Sequence, residues 1–235
     1  MSGFERLRRR LEEKANDPKS RPVLYVAFGD SVTQGCMEHG VIEHRLSFPA
    51  MVKEAVEARY PTAMFCLVNA GASGDTALES RTRWERDVFS LRPDVVTIGF
   101  GVNDAHRGDE GLASYRESLT ALIAGIRMHT EADVLFITPN KMMSADNPNV
   151  DERDRAHVAA FLRTAAAGHL TAYADAMRDV ANREEVPLVD QFLMWERMER
   201  EGVDIHTRLA NGINHPDRDF HMQLSSAIVE RFLKD

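Results

Sequence analysis

Residues 21–35 read RPVLYVAFGDSVTQG, and the rest of the chain is organised around this stretch. Residues 23–28 are a short, nearly unbroken apolar run rich in β-branched and aromatic residues, which predicts a strand buried on both faces. The run breaks at Gly29, and the small polar residues after it suit a tight turn into a helix. Ser31 is therefore expected at the carboxyl end of a strand, where open α/β sheets place their ligand crevices. Because such residues are also common in ordinary turns, the rest of the chain must decide whether this is a site.

The composition is that of an ordinary globular protein, with 235 residues, 43% hydrophobic and 28% charged. A chain of this length can bury a large core, so we expect residues 1–235 to form a single domain. The net charge of −8 disfavours a nucleic-acid or anionic-membrane partner, since either would require a basic patch. The short basic run at residues 6–10 is followed by glutamates at helical spacing, which is typical of a solvated helix face.

Cys36 and Cys66 are too few for a disulfide scaffold, and no Cys/His spacing indicates zinc. We therefore expect neither a metal nor another cofactor. The first residues lack the apolar stretch of a secretory signal, and no segment reaches the apolar length of a membrane span. A cytoplasmic location is the resulting expectation, although a chain trimmed of its signal would look the same.

Apolar runs alternate with helical patterns along the whole chain, which predicts right-handed crossovers and a parallel sheet covered on both faces. Besides the strand at 23–28, strands are predicted at residues 64–68, 95–100, 133–138 and 186–189. Helices are predicted at residues 2–16, 48–60, 77–89, 110–129, 151–183 with a break near 168, 191–201 and 220–234.

Polar clusters follow the first three predicted strands and recur in the last loop, at residues 30–31, 69–75, 103–104 and 211–215. All carboxyl ends of a parallel sheet lie on one edge, so these distant segments can meet in one crevice. A serine hydroxyl needs a base before it becomes a nucleophile, and histidine has a suitable pKa. Acyl transfer also needs fixed donors for an oxyanion, which the Ser31 and Gly74 amides and the Asn103 side chain can supply.

The segments GDSVTQG, NAGASGDT, GVND and INHP stand in the order and rough spacing of the four blocks of the SGNH (GDSL-type) hydrolases. The sequence resembles this family of esterases and lipases from residue 29 to residue 216. The resemblance implies a flavodoxin-like three-layer α/β/α sandwich with a five-stranded parallel sheet. It also implies Ser31 as nucleophile, His215 as base, and the Ser31 amide, Gly74 and Asn103 as oxyanion donors.

One position departs from the family pattern. The family usually places an aspartate three residues before the catalytic histidine, where this chain has Gly212. A neutral partner, such as a backbone carbonyl or Asn211, can orient the ring instead, or another carboxylate can reach it. Asp190, at the end of the fifth predicted strand, is one candidate, and Asp204 and Asp217 are weaker ones.

The function predicted is therefore that of a serine carboxylic-ester hydrolase working through an acyl-enzyme. The lack of a long apolar lid segment favours short acyl groups such as acetyl, on a small-molecule or carbohydrate ester. The alternatives are a lysophospholipase or thioesterase acting on longer acyl chains, or a non-catalytic module that binds an ester or a glycan. A flavodoxin-like nucleotide or flavin binder fits the sheet alone, but the chain lacks a phosphate-cradling glycine motif.

Further residues near these blocks have simpler interpretations. His206 is expected in a solvated loop and His221 in a capping or packing role. Met142 and Met143 fit either a substrate pocket or ordinary packing. The oligomeric state is not predicted by the sequence.

Overall fold

The computed structural model describes residues 3–234, and its centre is a five-stranded sheet in the order β2-β1-β3-β4-β5. Every strand pair is parallel. The strands are β1 (Val23–Gly29), β2 (Phe65–Gly71), β3 (Val95–Gly99), β4 (Asp133–Ile137) and β5 (Leu188–Val189). This order confirms the flavodoxin-like sheet. β2 continues beyond its predicted end because Asn69–Gly71 stay paired with the last residues of β1.

Helices cover both faces of the sheet, which confirms the three-layer architecture. They are α1 (Glu5–Asn16), α2 (Ser31–Gln34), α3 (Phe48–Arg59), α4 (Leu112–His129), α5 (Arg155–Ala166), α6 (His169–Arg183), α7 (Gln191–Arg200) and α8 (Arg218–Leu233). Residue 2, where the first helix was predicted to begin, lies outside the described residues. The predicted helix over 151–183 is divided at Gly168 into α5 and α6.

Successive residues of β1 point into two different cores, as expected for a strand covered on both sides. Tyr25 and Ala27 pack with α1, α3 and α8, whereas Val26 and Phe28 pack with α4 and α6. All four side chains are fully buried. The apolar run at residues 23–28 therefore lies at the centre of the molecule, and it fixes the position of the turn that follows it.

The prediction of a helix over residues 77–89 is wrong. This segment forms a 3₁₀ helix (Glu79–Arg83) and then a single π turn (Glu85–Phe89). Arg83 donates to the backbone carbonyls of Gly29, at 2.9 Å, and of Ala70, at 2.7 Å. These tertiary bonds to the ends of β1 and β2 hold the segment against the sheet edge. Further 3₁₀ turns lie at Asp104–Arg107, Asp109–Gly111, Glu152–Asp154 and Ile205–Arg208.

Gly29 ends β1 at a place where the backbones approach closely. A Cβ at this position would collide with the Thr33 hydroxyl and with the carbonyl of Gly99 on β3. Only glycine lets the chain turn here while the corner stays in contact with the neighbouring strand. The turn then delivers Ser31 to the carboxyl edge of the sheet.

Candidate active site

Ser31 is the first residue of α2 and stands directly beyond the end of β1. The Asp30 side chain caps this short helix by accepting a hydrogen bond from the Val32 N–H at 2.9 Å. Ser31 is almost completely buried, so its position is fixed by packing. A nucleophile in such a setting is held in one orientation toward its base.

The ring of His215 lies between Ser31 and Met37. Its Nε2 is 3.1 Å from the Ser31 Oγ, and its Nδ1 is 2.9 Å from the backbone carbonyl oxygen of Met37. A carbonyl oxygen can only accept a hydrogen bond, so Nδ1 must carry the proton. Nε2 is then left with its lone pair toward the serine hydroxyl. This is the tautomer that a general base requires.

Burial lowers the pKa of His215 from its ordinary value of 6.5, and the bond to the Met37 carbonyl opposes this only in part. A lowered pKa keeps the ring neutral over more of the acidic range. Because only the neutral ring can accept the serine proton, the environment of His215 favours the basic form at neutral pH.

Met37 belongs to a short turn that we call the 36–42 hairpin. Cys36 and Ile42 form an antiparallel bridge, and the Met37 N–H donates to the Val41 carbonyl at 3.0 Å. The Met37 side chain is fully buried and anchors the turn. This short turn therefore supplies the acceptor for His215.

Asn211 holds the backbone that carries His215, and it does not hold the ring. Its Oδ1 accepts hydrogen bonds from the N–H groups of Ile213, Asn214 and His215, at 3.0, 2.9 and 2.9 Å. The candidate orienter therefore sets the shape of the last loop. The ring itself is oriented by the Met37 carbonyl, one of the neutral partners that the sequence left open.

Gly212, where the family usually has an aspartate, has no room for a side chain. Its φ is +73°, and a Cβ would stand 2.9 Å from the Val150 nitrogen and 3.0 Å from the Asn149 carbonyl carbon. Both the backbone conformation and the neighbouring chain favour glycine here. This loop geometry accounts for the missing aspartate.

The structure corrects the hypothesis that Asp190 orients the histidine. Its carboxylate accepts two hydrogen bonds from Arg178, at 2.8 and 2.9 Å, and caps α7 through the Leu193 N–H at 3.0 Å. Both ring nitrogens of His215 have other partners. Asp190 therefore serves the fold, because its strand end is occupied by an ion pair and a helix cap.

The two weaker candidates are also engaged elsewhere. Asp204 accepts from Nδ1 of His206, and Asp217 caps α8 through the Phe220 N–H at 2.8 Å.

The other residues near the family blocks have structural partners. The His221 Nδ1 accepts from the Phe48 N–H at 3.0 Å in a fully buried position. His206 receives backbone N–H groups from Ser144 and Ala145. Met142 and Met143 are buried in the core.

Gly74 and Asn103 line the same cavity as Ser31 and His215. Apart from Gly74 itself and its two chain neighbours, no described atom lies within 4 Å of where a Gly74 Cβ would stand, so its backbone faces open space. The Asn103 amide donates one N–H to the Asp75 carbonyl at 2.9 Å, which fixes its plane. An amide nitrogen has two hydrogens, and the second remains for a ligand.

Two buried carboxyl groups lie behind these corners. The Asp104 Oδ1 accepts from the Ala77 N–H at 2.9 Å, which joins the segment after β3 to the segment after β2. Burial raises the pKa of Asp104 and the pKa of Asp30, each to about 7. The Asp104 Oδ2 has no hydrogen-bond partner among the described residues.

The cavity above Ser31 has a volume of about 720 Å³. The 36–42 hairpin forms one wall, and α5 contributes His157, Ala160 and Phe161 to another. Sequence reasoning missed both the wall from α5 and the role of Met37. A backbone carbonyl has no residue-type signature, and α5 contributes by its place in the fold.

A Ser-His pair at the carboxyl edge of a parallel sheet defines the class of protein as a serine hydrolase on an α/β sheet. Comparison with known proteins then gives the family, because residues 27–222 match the GDSL-like lipase/acylhydrolase family. The chain belongs to this family and is a serine ester hydrolase.

The chain is also similar to individual proteins in sequence and in structure. An uncharacterised lipoprotein, YqeF, of Bacillus subtilis (strain 168) is 29% identical over 174 residues, covering 71% of this chain and 70% of that protein. An acetylxylan esterase of Geobacillus stearothermophilus is 40% identical over 60 residues, covering 26% of this chain and 27% of that protein. The crystal structure of a lipase/acylhydrolase from Enterococcus faecalis has the same fold, with a TM-score of 0.68 and 22% identity over 88% of this chain and 94% of that chain.

None of the helices within residues 3–234 combines the length and the apolar character that a membrane crossing requires.

Proposed function

We propose that this protein hydrolyses carboxylic esters through an acyl-enzyme formed on Ser31, with His215 as base and then acid. The observation that carries the proposal is the placement of the His215 Nε2 at 3.1 Å from the Ser31 Oγ while Nδ1 is bound to the Met37 carbonyl. This geometry supplies a neutral base in the right tautomer without a carboxylate.

In the first half of the reaction, the Ser31 Oγ attacks the ester carbonyl carbon as His215 takes the hydroxyl proton. The Ser31 and Gly74 N–H groups and the Asn103 amide hold the oxyanion of the tetrahedral intermediate. The intermediate collapses, the C–O bond to the alcohol breaks, and His215 gives its proton to the departing oxygen. In the second half, water repeats the attack on the acyl-enzyme and releases the acid and free Ser31.

The substrate proposed is a short acyl ester such as an acetate, carried by a small molecule or a carbohydrate. The partial match to an acetylxylan esterase supports an acetyl group on a sugar. Among the described residues, no lysine or arginine lines the cavity. The lining therefore offers neither of the two side chains that usually bind the phosphate of a lysophospholipid or of a coenzyme A thioester.

Hydrolysis of longer acyl chains is the second candidate. A cavity of about 720 Å³ with Ala160 and Phe161 in its lining has room for more than an acetyl group. Apolar lining of this kind binds alkyl chains through the hydrophobic effect.

The cytoplasmic location predicted from the sequence also stays a proposal, which fractionation of the native host tests.

A panel of p-nitrophenyl esters from acetate to dodecanoate, with Ser31→Ala as control, tests the proposal. We expect the highest kcat/KM for acetate and loss of turnover in the variant. A maximum at octanoate or longer would favour the second candidate. Turnover that survives Ser31→Ala unchanged would exclude Ser31 as the nucleophile. A folded protein that turns over no ester would favour a binding module.

A further inference from the structure

The side of the cavity that faces the leaving alcohol follows from the proton path. The His215 Nε2 has to return its proton to the departing alcohol oxygen, so this oxygen must lie within hydrogen-bond reach of Nε2. The alcohol part of the ester therefore leaves past the imidazole ring. The alcohol is then expected to contact side chains that line the cavity beside that ring.

The 36–42 hairpin is the element that stands against the ring, because its Met37 carbonyl binds Nδ1 at 2.9 Å. Two apolar side chains of this hairpin, Val41 and Ile42, line the same cavity. They are 40% and 43% exposed, unlike the apolar side chains of the core. Exposed apolar surface beside reacting groups gains binding energy when a ligand covers it.

The hairpin is held in place from two sides, so this surface is formed before a ligand arrives. Arg218 donates to the Glu38 carboxylate at 2.7 and 3.1 Å and to Glu43 at 3.2 Å. On the other side, the His39 Nδ1 lies 2.9 Å from an Asp154 carboxylate oxygen at the start of α5. A preformed surface binds without the cost of ordering a loop.

The charges beside this apolar surface limit the chemistry of the alcohol. Glu38 and Asp154 both line the cavity, where Arg218 and His39 bind their carboxylates, and no lysine or arginine of the described residues is part of the lining. An alcohol that carries a negative charge would lose water at the apolar surface without a lysine or arginine of the lining to pair with it. An uncharged alcohol meets Val41 and Ile42 without this penalty.

We propose that the 36–42 hairpin is the subsite for the alcohol part of the ester, and that it takes an uncharged alcohol with an apolar face. This inference rests on the proposed function, since it assumes that Ser31 and His215 cleave the ester. It assigns Val41 and Ile42 a role in choosing the alcohol and no role in choosing the acyl group.

Acetates of different alcohols test the subsite without changing the acyl group. Ethyl acetate, hexyl acetate and 6-acetoxyhexanoate share the acetyl group, and the last carries a carboxylate at the end of the same chain. We expect the wild-type protein to prefer hexyl over ethyl acetate by roughly tenfold or more in kcat/KM. It should disfavour 6-acetoxyhexanoate relative to hexyl acetate by a similar factor.

The variant Val41→Ser/Ile42→Ser removes the apolar surface and keeps the backbone of the hairpin. We expect it to raise KM for hexyl acetate and to reduce the preference for hexyl over ethyl acetate to about twofold, because hexyl acetate loses more kcat/KM than ethyl acetate does. The matched control Met128→Ser/Val203→Ser changes two exposed apolar residues that do not line the cavity. This control should keep the wild-type preference.

The outcomes separate the subsite from the proposed function. Ethyl acetate that is not hydrolysed, or is hydrolysed without Ser31, would overturn the proposed function. Ser31-dependent hydrolysis of ethyl acetate with no preference for hexyl acetate, or with a preference that the double variant keeps, would overturn the subsite alone. A variant that instead lowers the relative rate on ethyl hexanoate would place the acyl group there and equally overturn it. If the double variant unfolds on a thermal melt, Ile42→Ala alone gives the same comparison.

Discussion

The two ends of the sheet use polar residues in opposite ways. At the amino end, the buried Asp94 carboxylate receives Arg6, Arg10 and Arg21, at 3.4, 3.2 and 2.7 Å, and also the Leu24 N–H at 2.9 Å. At the carboxyl end, the small neutral groups of Ser31 and Asn103 have hydrogen-bonding capacity left over and face a cavity. A polar group whose capacity is filled by the protein stabilises the fold, and one with spare capacity can serve a ligand.

The largest effect is expected at the carboxyl end. Replacing His215 by alanine should lower kcat/KM for ethyl acetate by ~10⁴-fold or more, because no base remains to take the serine proton. The control Asp190→Asn should stay within about twofold of wild type, since Asp190 binds Arg178 and not the ring. Steady-state kinetics measure both. An equal loss in the two variants would restore Asp190 as a partner of His215.

The amino end should respond in stability and not in rate. Asp94→Asn leaves the arginines around it without their buried counter-charge and should lower the free energy of unfolding by about 3–5 kcal/mol. Its kcat/KM should remain near wild type as long as the protein is folded.

Urea unfolding followed by circular dichroism measures this loss, with Asp179→Asn as control. Asp179 pairs with Arg116 at 3.3 Å on the surface, and its removal should cost less than about 1 kcal/mol. If Asp94→Asn lowers the rate and leaves stability intact, the distinction between the two ends fails.

Asn103→Ala tests the spare amide hydrogen at the carboxyl end. We expect kcat to fall by about 10²–10³-fold with little change in KM, because an oxyanion donor acts mainly in the transition state. The measurement is a full Michaelis–Menten curve on ethyl acetate. A rise in KM at unchanged kcat would instead make Asn103 a substrate-binding residue.

The smallest effect concerns Asp104, whose pKa burial raises to about 7 from an ordinary 3.8. A carboxyl group whose pKa is raised in the folded state stabilises the fold at pH values below its unfolded-state pKa. This stabilisation is lost as the pH rises through about 7. Asp104→Asn removes this titration and can still accept the Ala77 N–H. The Tm of Asp104→Asn relative to that of wild type should therefore be higher at pH 8.5 than at pH 5. We expect this difference to change by roughly 2–4 °C for each kcal/mol of destabilisation that the substitution removes.

Thermal melts at the two pH values check this, and Asp109→Asn, an exposed aspartate of the following turn, is the control. An Asp104→Asn variant whose Tm difference from wild type is the same at both pH values would show that the carboxyl group does not titrate in this range.

Much of the fold could be predicted because it depends on local patterns. The apolar run of β1, the glycine corners and the alternation of strands with helices all follow from residue types and spacing. The segment at 77–89 could not be predicted in this way, because the contacts of Arg83 with the ends of β1 and β2 override its helical pattern. Tertiary contacts decide such segments.

The site shows the same division. Ser31, Gly74, Asn103 and His215 stand in recognisable motifs, and the fold brings them to one cavity. The partner of His215 left no motif, since every residue has a carbonyl and only the folded hairpin selects that of Met37. Asp190 was a reasonable candidate by its place at a strand end, but Arg178, twelve residues before it, occupies its carboxylate.

Covalent labelling by a fluorophosphonate, followed by intact-mass and peptide mass spectrometry, tests the central claim most directly. The account predicts a single adduct on Ser31, lost in His215→Ala and formed at the wild-type rate in Asp190→Asn. No adduct on the folded protein, an adduct on another residue, or labelling of His215→Ala at the wild-type rate would contradict it.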